Sequence, residues 1–287
     1  MKKILSQLRH INIRSRRKST DVFFGNYRSA FHGQGVEFHS LRPYENGDDV
    51  RRIDWKTSAK KDSLFVKKFQ ETHEKTVCCI LDTSASMNFG TSQKKSETAL
   101  LALALISFSA LKDGEKCGAL FYNNTLKYIP PKKHTKQLSH IIATGLQCFS
   151  HNQQQTADHQ SALALFFKVQ KKSSLCFYFT DSLLPLPEKQ LIQISKKHEL
   201  IIILLEDKAD TNIQGDLDLH DNEDDMNLWV NSLNIQHIKR ILKEKEKKEE
   251  QRAQELKKYK INVWHLATHD DVYKTLGARF KKYSKIS

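Results

Sequence analysis

The feature that most constrains this chain is an apolar run that stops abruptly on an aspartate. In Thr76 to Met87, TVCCILDTSASM, the residues Val77, Cys78, Cys79, Ile80 and Leu81 form an unbroken apolar stretch. Such a stretch reads as a strand buried on both faces, the kind found in parallel sheets. Asp82, Thr83, Ser84 and Ser86 then emerge at its carboxyl end, where open α/β sheets place their ligands. One carboxylate beside hydroxyls, with no thiolate or imidazole, suits a hard divalent ion such as Mg²⁺ or Mn²⁺ better than zinc. The same residue types also crowd ordinary strand-to-helix turns as caps, so the five letters D-x-S-x-S leave both readings open.

A second run repeats the layout. Ser174 to Phe179, SLCFYF, ends in Thr180, Asp181 and Ser182, so a second strand delivers a carboxylate. Between and beyond these strands the patterning alternates. Apolar helices fit Ser96 to Asp113, Thr135 to Gln147, Asp158 to Gln170, Pro187 to Lys197 and Asp270 to Phe280. Strands fit Cys117 to Tyr122, Leu126 to Ile129, Leu200 to Leu205 and Ile261 to Leu266, the first two joined as a hairpin around Asn123 and Asn124. This alternation predicts an α/β fold with a doubly wound, mostly parallel sheet.

Two stretches stand apart from that pattern. Residues 1–72 are expected to form a basic N-terminal segment and a small β-rich unit, with strands at Val36 to Leu41 and Leu64 to Phe69 and turns at Gly33 to Gly35 and Glu45 to Asp49. Within it, the segment Arg14 to Thr20, RSRRKST, is expected to follow a short helix and to be loosely held. The α/β domain then covers 73–287. It carries an acidic stretch over 206–227, expected as a surface excursion, and a long helix over 233–260 whose second half is almost wholly charged and expected to face solvent, a docking face being the other reading.

The charge is lopsided. The 287 residues carry a formal net charge of +14. Sixteen Lys or Arg against eight Asp or Glu lie within Met1 to Thr72, and five basic residues with no acid follow Asp271. Nucleic acid, an anionic membrane surface or an acidic protein could each exploit such a distribution, although no helix-turn-helix, zinc-finger or RNP-type pattern accompanies it. The longest apolar stretch, Ala99 to Ile106, falls short of the roughly 20 residues of a membrane span. The basic N-terminus is followed by no sustained apolar core of a secretory signal. A cytoplasmic location is therefore expected. The five cysteines, Cys78, Cys79, Cys117, Cys148 and Cys176, lack zinc spacing and are expected as buried thiols.

The segment Gly33 to Phe69, GQGVEFHSLRPYENGDDVRRIDWKTSAKKDSLFVKKF, leads shortly into TVCCILDTSASMNFG. Together they resemble the domain-of-unknown-function family 58, whose members carry a von Willebrand A-like domain. The D-x-S-x-S pattern is similar to the metal-ion-dependent adhesion site of such domains. Carried over residue by residue, the resemblance implies metal ligation by Asp82, Ser84, Ser86 and Asp181. It also implies a threonine before the third helix, for which Thr156 in QQTADHQSAL is the candidate, while counting back from Leu163 lands on Ala157. Ser84 and Ser86 would bind directly, Thr156 directly or through water, and Asp82 and Asp181 from behind them. The resemblance further implies a non-catalytic module that works with a MoxR-type AAA+ ATPase in maturation or activation of clients, a client carboxylate completing the ion's shell. Many relatives carry two membrane helices before the signature; their absence here favours a cytoplasmic form. A nucleic-acid-binding protein and a Mg²⁺-dependent hydrolase are the alternatives, the second weakened by the lack of a phosphate loop or a nucleophile turn. The dense cluster Arg42, Tyr44, Gly47, Asp48, Asp49, Arg51, Arg52, Asp54 and Trp55 reads either as a self-satisfied turn or as a docking surface.

Overall fold

A computed structural model describes residues 18–31, 37–61, 63–70, 75–150, 156–210, 219–220, 227–228 and 235–285. The turn at Gly33 to Gly35, any helix before Lys18 and most of the acidic stretch lie outside these residues.

The centre is a six-stranded sheet. Its strands are β3 (Thr76–Asp82), β4 (Lys116–Tyr122), β5 (Leu126–Lys132), β6 (Leu175–Thr180), β7 (Glu199–Glu206) and β10 (Asn262–Ala267), in the order β10-β7-β6-β3-β4-β5, while β8 (Leu219–His220) and β9 (Asn227–Leu228) pair in a small sheet of their own. All neighbours run parallel except β5, which returns antiparallel beside β4. The expected doubly wound, mostly parallel sheet is therefore what the chain forms. The chain winds outward from β3 in one direction and from β6 in the other, so the strand order reverses between these two neighbours. That crevice is where such folds bind ligands.

Along the central strands successive side chains alternate between two cores. Val77, Cys79 and Leu81 of β3 and Leu175, Phe177 and Phe179 of β6 join one core. Cys78 and Ile80, with Cys176 and Tyr178, join the other. Helices α1 (Lys18–Phe31), α3 (Lys95–Lys112), α4 (Thr135–Ser150) and α8 (Val272–Tyr283) cover the first face. Helices α5 (His159–Val169), α6 (Glu188–Ser195) and α7 (Ile235–Lys258) cover the second. Helix α3 is buried on nearly every side from Lys95 to Ala110, as its scarcely amphipathic sequence requires. All five cysteines are buried and free.

Three features depart from the sequence-based expectations. Lys18 to Thr20, expected in a loosely held segment, start α1, and Phe23, Tyr27 and Phe31 of that helix are buried against α8. Their i, i+4, i+8 spacing makes one apolar stripe, which the surrounding basic residues hide. The second half of α7 is docked at its end as well as exposed. Lys243 to Lys248 face solvent, but Leu256 is buried, and Arg252 reaches Glu188 Oε2 at 2.7 Å and the Leu186 carbonyl at 3.3 Å. The acidic stretch begins with a short 3₁₀ turn, Lys208–Asp210, preceded by Asp207, which is buried rather than part of a surface excursion.

The N-terminal β-unit is a separate antiparallel pair, β1 (Glu37–Pro43) and β2 (Phe65–Gln70), with α2 (Trp55–Lys61) between them. Its turn is largely satisfied from within. Arg42 donates from both Nη atoms to Asp48 at 2.7 and 2.5 Å, Asp48 accepts the Glu45 amide, and Asp49 and Asp54 accept the amides of Arg51 and Thr57. Gly47, with φ of 108°, supplies the left-handed residue of that turn.

A candidate metal centre at the strand crossover

Asp82 ends β3 and is 1% exposed. Its Oδ1 accepts the Ser84 amide at 2.8 Å, an Asx-type turn that folds the chain back over the strand end. Thr83 fixes the same turn sideways, donating from N and Oγ1 to the Tyr122 carbonyl at 2.8 and 2.9 Å. Ser84 stands at the start of the 3₁₀ turn Ala85–Asn88, yet its hydroxyl caps nothing; it lies 3.1 Å from the Ser86 hydroxyl. Buried Met87 pegs this turn to the core.

The chain then runs through Gly90 to α3. Gly90 has φ of 154°, and a Cβ there would lie 2.1 Å from the Gln93 carbonyl oxygen. We expect Gly90→Ala to destabilise the fold by about 1–3 kcal/mol, read as a lower thermal midpoint. Immediately beyond, Thr91 donates from N and Oγ1 to Asp207 at 3.0 and 2.9 Å, and Thr268 also donates to Asp207. These bonds lace the β3–α3 loop to the ends of β7 and β10.

Asp181 follows β6, the strand beside β3, in the register that pairs Leu81 with Phe179. Asp82 and Asp181 therefore leave the same end of adjacent strands. Both bear on the buried Tyr122 phenol: burial first, then the charges of Asp82, Tyr178 and Asp181, push its pKa well above the ordinary range. Beneath them Tyr122 Oη, Tyr178 Oη and His159 Nδ1 lie within 2.6–2.9 Å of one another. Burial drives His159 down to about 4 against the opposing charges of Asp181 and Asp158, so the ring is neutral near pH 7. Through Nδ1 it closes this buried triad with the two tyrosine hydroxyls.

Lys95 lies at the same end, though nothing in the sequence marks it. Its Nζ is 3.3 Å from Asp181 Oδ2 and 2.9 Å from Asp210 Oδ2. Burial alone would lower its pKa, but the two carboxylates outweigh that effect and raise it, so the ammonium stays charged. Asp207, Asp210 and Lys95 are the residues that sequence reasoning missed. A lysine at a helix start and acids in a polar stretch read as surface until the loops are seen to converge.

Thr156 is exposed and forms no side-chain hydrogen bond with Ser84 or Ser86. The segment it opens is nonetheless tied to the same end, because the Asp158 amide donates to the Asn123 carbonyl at 3.1 Å. Asp158 then caps α5 through the Ser161 amide.

The donor set fits a hard cation in one measurable respect. Two oxygens at adjacent corners of an octahedral shell around Mg²⁺ lie about 2.9 Å apart, close to the separation of the two serine hydroxyls. Among the described residues no three of His, Cys, Asp and Glu gather as a metal-binding group.

A profile described as "Protein of unknown function DUF58" matches residues 40–252. The chain belongs to the DUF58 family. Among its relatives, uncharacterized proteins of Mycobacterium bovis and Mycobacterium tuberculosis are each 28% identical over 229 residues, 77% of this chain and 71% of theirs. Similar solved structures include the conserved hypothetical protein BatB of Bacteroides thetaiotaomicron, at 14% identity and a TM-score of 0.42, spanning 74% of this chain and 99% of that one. A von Willebrand factor type A protein of Catenulispora acidiphila matches at 13% identity and a TM-score of 0.37, over 75% and 42%. The strand order described above gives this DUF58 protein a doubly wound, mostly parallel α/β fold. No helix among the described residues is long and apolar enough to cross a membrane.

Proposed function

We propose that this DUF58 protein is a metal-dependent protein-interaction module, an adaptor for a MoxR-type AAA+ ATPase acting on client proteins. The Ser84–Ser86 hydroxyl pair, 3.1 Å apart above Asp82 at the reversal of strand order, is the observation that carries it. Ser84 and Ser86 would hold Mg²⁺ or Mn²⁺ directly, Asp82 and Asp181 would orient hydroxyls and waters, and Thr156 would join directly or through water. Neutral direct ligands leave the ion with positive charge to spare. A carboxylate from a partner would then make a strong, directional contact over a small area.

Calorimetric titration of Mn²⁺ into the full chain tests the reading. Wild type is expected to release or absorb heat with a saturable isotherm, and the folded Ser84→Ala/Ser86→Ala variant to lose at least tenfold in affinity. Equal isotherms for the two proteins would remove the serines from any metal site.

A further inference from the structure

Lys95 occupies a place that ordinary rules argue against. It lies in the first turn of α3, where the backbone dipole is positive and a cation is disfavoured. Its side chain is also only 5% exposed, and a buried ammonium is costly unless paired. Two carboxylates from different elements meet that cost, Asp181 after β6 and Asp210 after β7. Local rules are broken in this way mainly where function asks for it.

The two partners are not equivalent. Asp210 is the closer, at 2.9 Å against 3.3 Å, and it is held independently, because its Oδ2 also accepts the Asp207 amide at 2.8 Å. Asp207 is in turn fixed by Thr91 and Thr268. The ammonium therefore keeps a fixed seat on Asp210 whether or not Asp181 is available. Asp181 is one of the residues that the metal reading places behind the ion.

We infer that the Lys95 ammonium is the resident counter-ion of Asp181, and that a divalent ion entering beside Ser84 and Ser86 competes with it for that carboxylate, leaving Lys95 to Asp210. This rests on the metal reading above and adds a regulator to the same site. A single carboxylate serves two positive centres poorly, since each weakens its hold on the other. The chain's own lysine thus sets its affinity for free metal low. A partner's carboxylate, completing the ion's shell, returns negative charge to the pocket, so metal and partner bind with positive coupling, each raising the affinity for the other by the same factor.

The test is Mn²⁺ calorimetry on the full chain at one pH and ionic strength, comparing wild type with Lys95→Met and Lys95→Gln. Both neutral variants are expected to bind at least tenfold more tightly than wild type. Binding by wild type with equal or weaker affinity in the variants, their circular dichroism showing them folded, overturns the inference and leaves the metal reading standing. No binding by wild type or by either folded variant overturns the metal reading and the inference with it. If the lysine variants do not fold, Asp210→Asn decides. It removes the ammonium's second seat and commits it to Asp181, so Mn²⁺ affinity is expected to fall at least threefold, and unchanged affinity overturns the inference.

Discussion

Replacing Phe280 with alanine is expected to lower the free energy of unfolding by about 3–5 kcal/mol, the usual cost of deleting a buried aromatic ring. The ring is fully buried and is where three parts of the chain meet. Phe23, Tyr27 and Phe31 of α1 approach it with centroids at 5.4, 5.4 and 5.5 Å, all close to edge-on. Trp264 of β10 and Phe177 of β6 close it from below at 5.4 and 6.4 Å. Edge-on aromatic pairs add to the area term, so truncation loses both. Because domains are marginally stable, such a loss is a large part of the total. Urea denaturation monitored by far-ultraviolet circular dichroism would read it as a lower midpoint. A change below about 1 kcal/mol would show that α1 does not dock on α8 as described.

A second large effect concerns pH. Glu115, just before β4, is 3% exposed and accepts the Tyr27 hydroxyl at 2.8 Å. Burial raises its pKa, the Tyr27 bond and the Lys75 charge lower it, and the balance stands at about 7 against an ordinary 4.5. A carboxyl raised on folding favours the folded state while it is protonated in both states. That stability is present in full below about pH 4.5 and is lost as pH rises through 7, reaching roughly 3 kcal/mol above the folded pKa. Glu115→Gln carries the neutral form permanently and keeps an acceptor for Tyr27. Its stability relative to wild type is therefore expected to climb by about that amount between pH 4.5 and pH 8. His159 and His198, whose pKa values burial pushes down to about 4, act with the opposite sign, losing stability as pH falls from 6.5 towards 4. They are common to both proteins and cancel in the difference. Parallel stability curves across that pH range would show that Glu115 titrates as an ordinary carboxylate.

Much of the sheet was legible because a strand buried on both faces has to be written almost entirely in apolar letters. Thr76 to Leu81, Leu175 to Phe179 and Leu200 to Leu205 announce themselves in that way, and their ends place Asp82 and Asp181 without further information. The hairpin at Asn123 follows from turn chemistry: the Asn123 side chain accepts from the Thr125 amide at 2.7 Å. Helix α1 was harder because its stripe of Phe23, Tyr27 and Phe31 sits in a basic context that pulls the reading towards a loose segment. The docked end of α7 hides for a related reason. Ala253 and Leu256 are apolar positions set among charges, and the remaining grip is polar, with Glu249 accepting the Ser182 hydroxyl at 2.8 Å. Lys95, Asp207 and Asp210 could not be read at all from local pattern. Their meaning comes from loops more than a hundred residues apart in sequence arriving at one place.

The alternation of side chains along the strands leaves one more consequence. By parity Asp82 belongs with Ile80 and the layer that holds Tyr122 and Tyr178, whereas Asp181 belongs with Phe179 and the layer of α3, where Lys95 meets it. Elsewhere the sheet insulates these layers from each other, since a strand residue touches one side or the other. At the crevice between β3 and β6 a carboxylate from each layer leaves the same end of the sheet, on neighbouring strands. A shift in either helical layer therefore bears on the same end of the sheet, where β3 and β6 finish side by side.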